Sequence, residues 1–118
     1  KKYSIKNVKK KYENEKNNLL KLSLYDISPQ ILEYNDKDRF IIMTDVGKRI
    51  NTYTPNDKSQ IKYILDKLIE NKIYNEDTRN SNFLKLNNKI RIIDLEYTNN
   101  IGPNHIFRNK KKFPSIYF

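Results

Sequence analysis

Two stretches of the chain repeat apolar residues at helical spacing, and shorter β-rich runs lie between and after them. From about Asn7 to Leu24, Tyr12, Leu19, Leu20 and Leu22 form a loose apolar face among Lys, Asn and Glu, which predicts a helix. Ser28-Pro29 closes that stretch, because a proline disfavours helix at the residue before it. A second helix is predicted from Thr54 onward. Thr54-Pro55-Asn56-Asp57 supplies a capping hydroxyl, a proline at the first helical position and an acid at the third. Ile61, Ile64, Leu65, Leu68 and Ile69 then follow at helical spacing as a core stripe.

The β-rich runs predict two antiparallel hairpins. Gln30–Tyr34 and Arg39–Thr44 flank the turn Asn35-Asp36-Lys37-Asp38, whose Asn and Asp side chains bond their own backbone. Gly47 breaks the pattern that follows. Phe83–Leu86 and Lys89–Asp94 flank Asn87-Asn88, a pair able to supply the positive φ angles of a tight turn. The polar segment from Asn75 to Ser81 reads as a loop. From Asn99 onward periodicity is lost, although Phe113, Ile116, Tyr117 and Phe118 predict that the end docks on the body.

Composition narrows this picture. A chain of 118 residues with 36% hydrophobic content fits one small domain with a modest core and marginal stability. Cysteine is absent, which excludes disulfides and thiolate metal sites and favours a reducing, cytoplasmic setting. No apolar run approaches the roughly 20 residues that span a bilayer, and no signal-peptide pattern opens the chain. The net charge is +10, with basic runs at Lys9–Lys11 and at Arg108 and Lys110–Lys112. Such charge draws nucleotide, nucleic acid or another anionic surface, an acidic protein among them, and it equally serves as a solvated face. Nine tyrosines mixed with lysines are scattered rather than arrayed, which favours structural use over base stacking. His105, the one histidine, falls in the aperiodic tail, where a surface or packing role is expected.

Candidate chemistry gathers around the second hairpin. Asp77 and Asn82 bracket a turn after the second helix, and Asp94 ends the hairpin's last strand. A hairpin brings its start and end together, so Asn82 and Asp94 are expected side by side. Their oxygens suit magnesium, a hard cation that keeps much of its hydration. Arg79 adds a counter-charge and Asp77 a carboxylate base, the components of phosphoryl transfer. The same residue types also serve simply as turn formers and strand ends.

The order of these residues resembles the protein-kinase fold. Asn75-Glu76-Asp77-Thr78-Arg79-Asn80-Ser81-Asn82 is similar to the catalytic loop H-R-D-x-x-x-x-N, with the Asp-to-Asn spacing kept. Ile92-Ile93-Asp94-Leu95-Glu96 resembles the segment of the D-F-G metal aspartate and is closer to the I-D-F-E-Y of choline-kinase-like phosphotransferases. Asn14-Glu15-Lys16 before Leu19-Leu20 looks like the helix of the ion-pair glutamate. Tyr3-Ser4-Ile5-Lys6 is similar to the V-A-I-K strand. Phe40–Val46 resembles the strand entering the hinge, with Met43 at the gatekeeper place.

This resemblance spans about Tyr3 to Tyr97. It implies an α+β, minimal kinase-like fold: a small antiparallel N-terminal sheet with one helix over residues 1–46, then a reduced helical C-lobe with a catalytic-loop hairpin over 47–118. It implies ATP and Mg2+ as cofactors, with Asp77 as base and Arg79 on the transferred phosphate. Asn82 and Asp94 would hold the metal. Lys6, paired with Glu15, would orient the phosphates, and Thr44, Asp45 and Val46 would meet adenine. Lys9 competes with Lys6 for its place, and Glu13 with Glu15.

The chain also departs from the family. Its only glycines are Gly47 and Gly102, so no glycine-rich loop covers the phosphates. Asn75 and Glu76 replace the catalytic-loop His and Arg, Glu96 replaces the glycine after the metal aspartate, and no A-P-E motif follows. Three functions stay open at this point: a phosphotransferase of unknown acceptor, an inactive pseudokinase that binds or scaffolds, and a basic nucleic-acid-binding protein.

Overall fold

The structure is a computed structural model and describes residues 8–73 and 82–95. Helix α1 (Val8–Leu22) buries Tyr12, Glu15, Asn18, Leu19 and Leu22 on one face. Leu20, expected on that face, is instead 50% exposed. It follows Leu19 by one residue, which turns it about 100° around the axis and away from the core. The helix ends where the Ser23 hydroxyl donates to the Leu20 carbonyl at 2.8 Å and competes with its continuation. Ile27, Ser28 and Pro29 are then buried in the connection to the first strand.

Strands β1 (Ile31–Asn35) and β2 (Phe40–Met43) form the expected antiparallel hairpin. The Asn35 side chain builds its turn by accepting the Lys37 and Asp38 N–H groups at 2.9 and 2.8 Å. A bulge between Ile31 and Glu33 shifts the register, and the core residue Ile41 pairs with Tyr34. Beyond β2, Thr44 and Gln30 clasp each other twice. The Thr44 N–H donates to the Gln30 carbonyl and the Gln30 N–H to Thr44 Oγ1, both at 3.0 Å.

A short strand β3 (Lys48–Arg49), which the sequence pattern does not predict, follows Gly47. Gly47 has φ +107°, and a Cβ there would collide with the Lys85 carbonyl. Glycine is what lets this segment approach the fourth strand closely enough to pair.

Helix α2 (Pro55–Glu70) begins as its sequence predicts. The Asp57 N–H donates to Thr54 Oγ1 at 3.1 Å and the Thr54 N–H to Asp57 Oδ2 at 3.0 Å, a complete capping box. Ile61, Ile64, Leu65 and Leu68 are buried, while Ile69 is only partly covered. The helix closes with Ile73 N–H on the Leu68 carbonyl and Lys72 N–H on the Ile69 carbonyl, with Lys72 at φ 58°. That is the Schellman pattern, with lysine in the left-handed place that glycine usually takes.

Strands β4 (Phe83–Leu86) and β5 (Lys89–Ile92) form the second hairpin, with Asn87 and Asn88 at φ 51° and 66°. Both angles are what a two-residue type I′ turn requires. Gln60 on α2 secures this turn: its Nε2 donates to the Asn88 carbonyl at 2.8 Å, and its Oε1 accepts the Ile90 N–H at 2.9 Å.

The result is a small α+β domain with a two-stranded sheet β1-β2 and a three-stranded sheet β3-β4-β5, both antiparallel. One hydrophobic cluster joins α1 and Ile41 to α2, β4 and β5, so the described residues on either side of position 47 share a core. The Ile92 N–H also crosses to the Ile27 carbonyl at 2.8 Å. Among the described residues no helix is long and apolar enough to cross a membrane.

Candidate functional site

A cleft of about 370 Å³ opens where α1, β2 and the end of β5 meet. Its described walls are Ile41, Ile42, Met43 and Ile93, with Glu15 and Asp94 as the acidic groups. Glu15 is 2% exposed and reaches the cleft because it shares the inward face of α1 with Tyr12 and Leu19. Glu13, its rival in the sequence, lies exposed. Met43 ends β2, and Asp94 stands two residues past β5 with φ 60°. Aspartate adopts this left-handed backbone more readily than most L-residues, and Asp26, Arg39, Lys72, Asn87 and Asn88 share it.

The main chain around Asp94 is braced from both sides. Upstream, the Ile93 N–H donates to the Asn82 carbonyl at 2.8 Å, so the two ends of the hairpin do adjoin as expected. Downstream, Asn18 Nδ2 donates to the Leu95 carbonyl at 2.8 Å. Asn82 itself is buried.

Thr44, Asp45 and Val46 continue from β2, but none is among the described cleft walls. Thr44 is engaged with Gln30, Asp45 Oδ1 accepts the Gly47 N–H at 2.9 Å, and Val46 is buried. Lys6, Asp77 and Arg79 lie outside the described residues, as do His105 and the second basic run.

A charged clasp stands beside Glu15 on α1. The Tyr12 hydroxyl donates to Asp36 Oδ1 at 2.6 Å, and Lys16 Nζ bonds the same oxygen at 2.8 Å. The lysine also lies 5.4 Å from the Tyr12 ring centre and 5.0 Å from that of Tyr34. Burial, together with the bond to Asp36 and its charge, raises the Tyr12 phenol above its ordinary value. The bonds from Lys16 and Tyr12 lower the Asp36 carboxyl, and the bond to Asp36 raises the Lys16 ammonium.

Asn18 escaped the sequence reading. Its signal was there: it recurs with Tyr12, Leu19 and Leu22 on one helical face, so burial follows if those residues are core. A polar residue on such a face needs a partner.

Chemically, the cleft pairs apolar walls with two carboxylates contributed by distant segments. Few polar groups converging in an apolar concavity is the usual form of a small-molecule site. Acidic groups beside apolar surface favour a cation, or an anion that brings one, and exclusion of water strengthens the attraction. Compared with known protein families and with curated proteins, the chain matches none.

Proposed function

We propose that this domain is a reduced kinase-like phosphotransferase that takes a magnesium nucleotide into the cleft between α1, β2 and the Asp94 segment. One observation carries the reading. Glu15, Met43 and Asp94, drawn from three separate segments by their order alone, border the same cleft. The donor types are those the cofactors call for, with Asp94 on the cleft and Asn82 beside its segment through the bond from Ile93. The Asp94 carboxylate and the Asn82 amide oxygen are hard donors of the kind magnesium takes. Ile41, Met43 and Ile93 offer apolar surface for a planar base.

In this reading Asn82 and Asp94 hold the metal, whose charge, when bound, offsets that of the phosphate oxygens. Lys6, paired with Glu15, orients the phosphates. Thr44 to Val46, expected to meet the base, stand outside the described cleft walls, which leaves that contact to the apolar residues. Asp77 accepts the proton of the attacking hydroxyl, and Arg79 faces the transferred phosphate. The acceptor is a hydroxyl compound of unassigned class.

The test is a calorimetric titration of Mg-ATP into the purified chain, with Asp94→Ala as control. Metal-dependent binding in the wild type that vanishes in the variant is the expected result; no binding at millimolar ATP overturns the reading. Where turnover is measured, Asp77→Ala is expected to lower it by about 10²–10⁴-fold, the usual worth of a positioned base.

A second reading, an inactive binding module of the same ancestry, has its own support. Of the two glycines, Gly47 is committed to the approach of β3 to β4, and Gly102 follows the whole candidate site in sequence. Neither supplies a phosphate-covering loop. That reading predicts partner binding that persists in Asp94→Asn.

A further inference from the structure

Asn18 sits in the interior of α1 and is only 6% exposed. Asparagine is a poor helix former, and burying its amide is unfavourable unless the amide is used. Here Nδ2 donates to the carbonyl of Leu95, 77 residues away in sequence. Leu95 directly follows Asp94, whose φ of 60° is left-handed, a conformation that costs an L-residue energy although aspartate bears it better than most.

The surroundings of Asp94 can be named. The residues before Asp94 are held by main-chain bonds, Ile92 N–H to Ile27 and Ile93 N–H to Asn82. After Asp94, the bond from Asn18 is the side-chain grip. One turn earlier, the same helix presents Glu15 to the cleft. A single rigid element therefore sets both the Glu15 side of the cleft and the backbone of Asp94.

We propose that Asn18 is a positioning residue: it holds the Asp94–Leu95 main chain in its left-handed turn and thereby sets the affinity of the cleft for a magnesium nucleotide. The affinity half rests on the phosphotransferase reading, whereas the conformational half does not. Groups that orient a metal-binding carboxylate without touching the metal are typically worth about 10–100-fold in affinity.

The test compares wild type with Asn18→Leu, which keeps the branched outline of the side chain without an amide donor. Backbone chemical shifts of Asp94 and Leu95 are read first, in the ligand-free chain. Shifts that leave the left-handed range in the variant are expected, and unchanged shifts overturn the proposal. ATP is then titrated with and without magnesium. A positioning role weakens only the magnesium-dependent binding, by about 10–100-fold. Equal weakening with and without magnesium marks a merely structural role and overturns the affinity half. A wild type that binds no Mg-ATP overturns the phosphotransferase reading and the affinity half with it, while the shift comparison still decides the positioning. Should Asn18→Leu not fold, Asn18→Ser is read in the same way.

Discussion

The domain contains the same three-part device twice, in opposite settings. At the start of α2, Asp57 Oδ2 accepts the Thr54 N–H, its Oδ1 forms an ion pair with Lys85 Nζ at 2.8 Å, and the residue is 0% exposed. Beside α1, Asp36 accepts the Tyr12 hydroxyl and Lys16 Nζ, the latter also at 2.8 Å, but its side chain is 64% exposed. Both carboxyls are lowered, for differently weighted reasons. Burial pushes Asp57 up, and the bonds from Lys85 and Thr54 more than offset it. For Asp36 the bonds from Lys16 and Tyr12 come first, with little desolvation against them.

The contrast teaches that matching distances do not imply matching worth. A buried carboxylate deprived of its cation is stranded in a poor solvent, whereas an exposed one returns to water. At Asp36 the buried partner is the tyrosine, so the acid chiefly satisfies a hydroxyl that has left water.

Removing the cation from the buried device should have the largest effect. Lys85→Met is expected to cost about 3 kcal/mol, as for a buried ion pair that loses one partner, read by denaturant unfolding at neutral pH. The sign of its pH dependence follows from the lowered Asp57 carboxyl. The stability it supplies is present above the unfolded carboxyl value and is lost as pH falls through the folded one. The gap between wild type and variant should therefore close in acid. A gap that stays constant would show that Lys85 contributes packing rather than charge.

Gly47→Ala attacks the same device through the backbone. Its Cβ must displace the Lys85 carbonyl and adopt an unfavourable φ, so a loss of more than about 1 kcal/mol is expected. Full stability in that variant would mean that β3 and β4 need not approach closely.

On the exposed side, Tyr12→Phe removes one hydrogen bond and should cost about 1 kcal/mol in thermal or denaturant unfolding. The raised Tyr12 phenol supplies stability below the unfolded tyrosine value that is lost as pH rises through the folded one. The phenylalanine variant should therefore lose its deficit in strong alkali.

Asp36→Asn, which keeps an acceptor and removes the charge, should have the smallest effect of all, and salt should screen it further. If it matched Lys85→Met, exposure would not be what separates the two devices.

Much of the fold was legible because its signals are local. Thr54-Pro55-Asn56-Asp57 spells a helix start within four residues, and Asn87-Asn88 a hairpin turn within two. The apolar stripe of α2 needed only its own period, and four of its five predicted members are buried. Less of the candidate site could be read in the same way. Glu15, Met43 and Asp94 could be picked by their order along the chain, but a shared cleft is a property of packing. Asn18 could be placed on the buried face by counting, yet its partner lies 77 residues away. Leu20 shows the converse: an apolar residue in a helix is not thereby in the core.

The sequence by itself determined where α2 begins and where both hairpins turn, that the chain is strongly basic, and which residue types were available for phosphate and metal chemistry. Tertiary structure alone decided that Gly47 must be glycine, that β3 exists, that Lys85 neutralises the Asp57 helix cap, and that Asn18 grips the segment of Asp94. The physical reason is range. Caps, periods and turns are satisfied within a few neighbouring residues. Close approach, ion pairing in the core and the bracing of a strained backbone depend on which distant segments the hydrophobic core brings together.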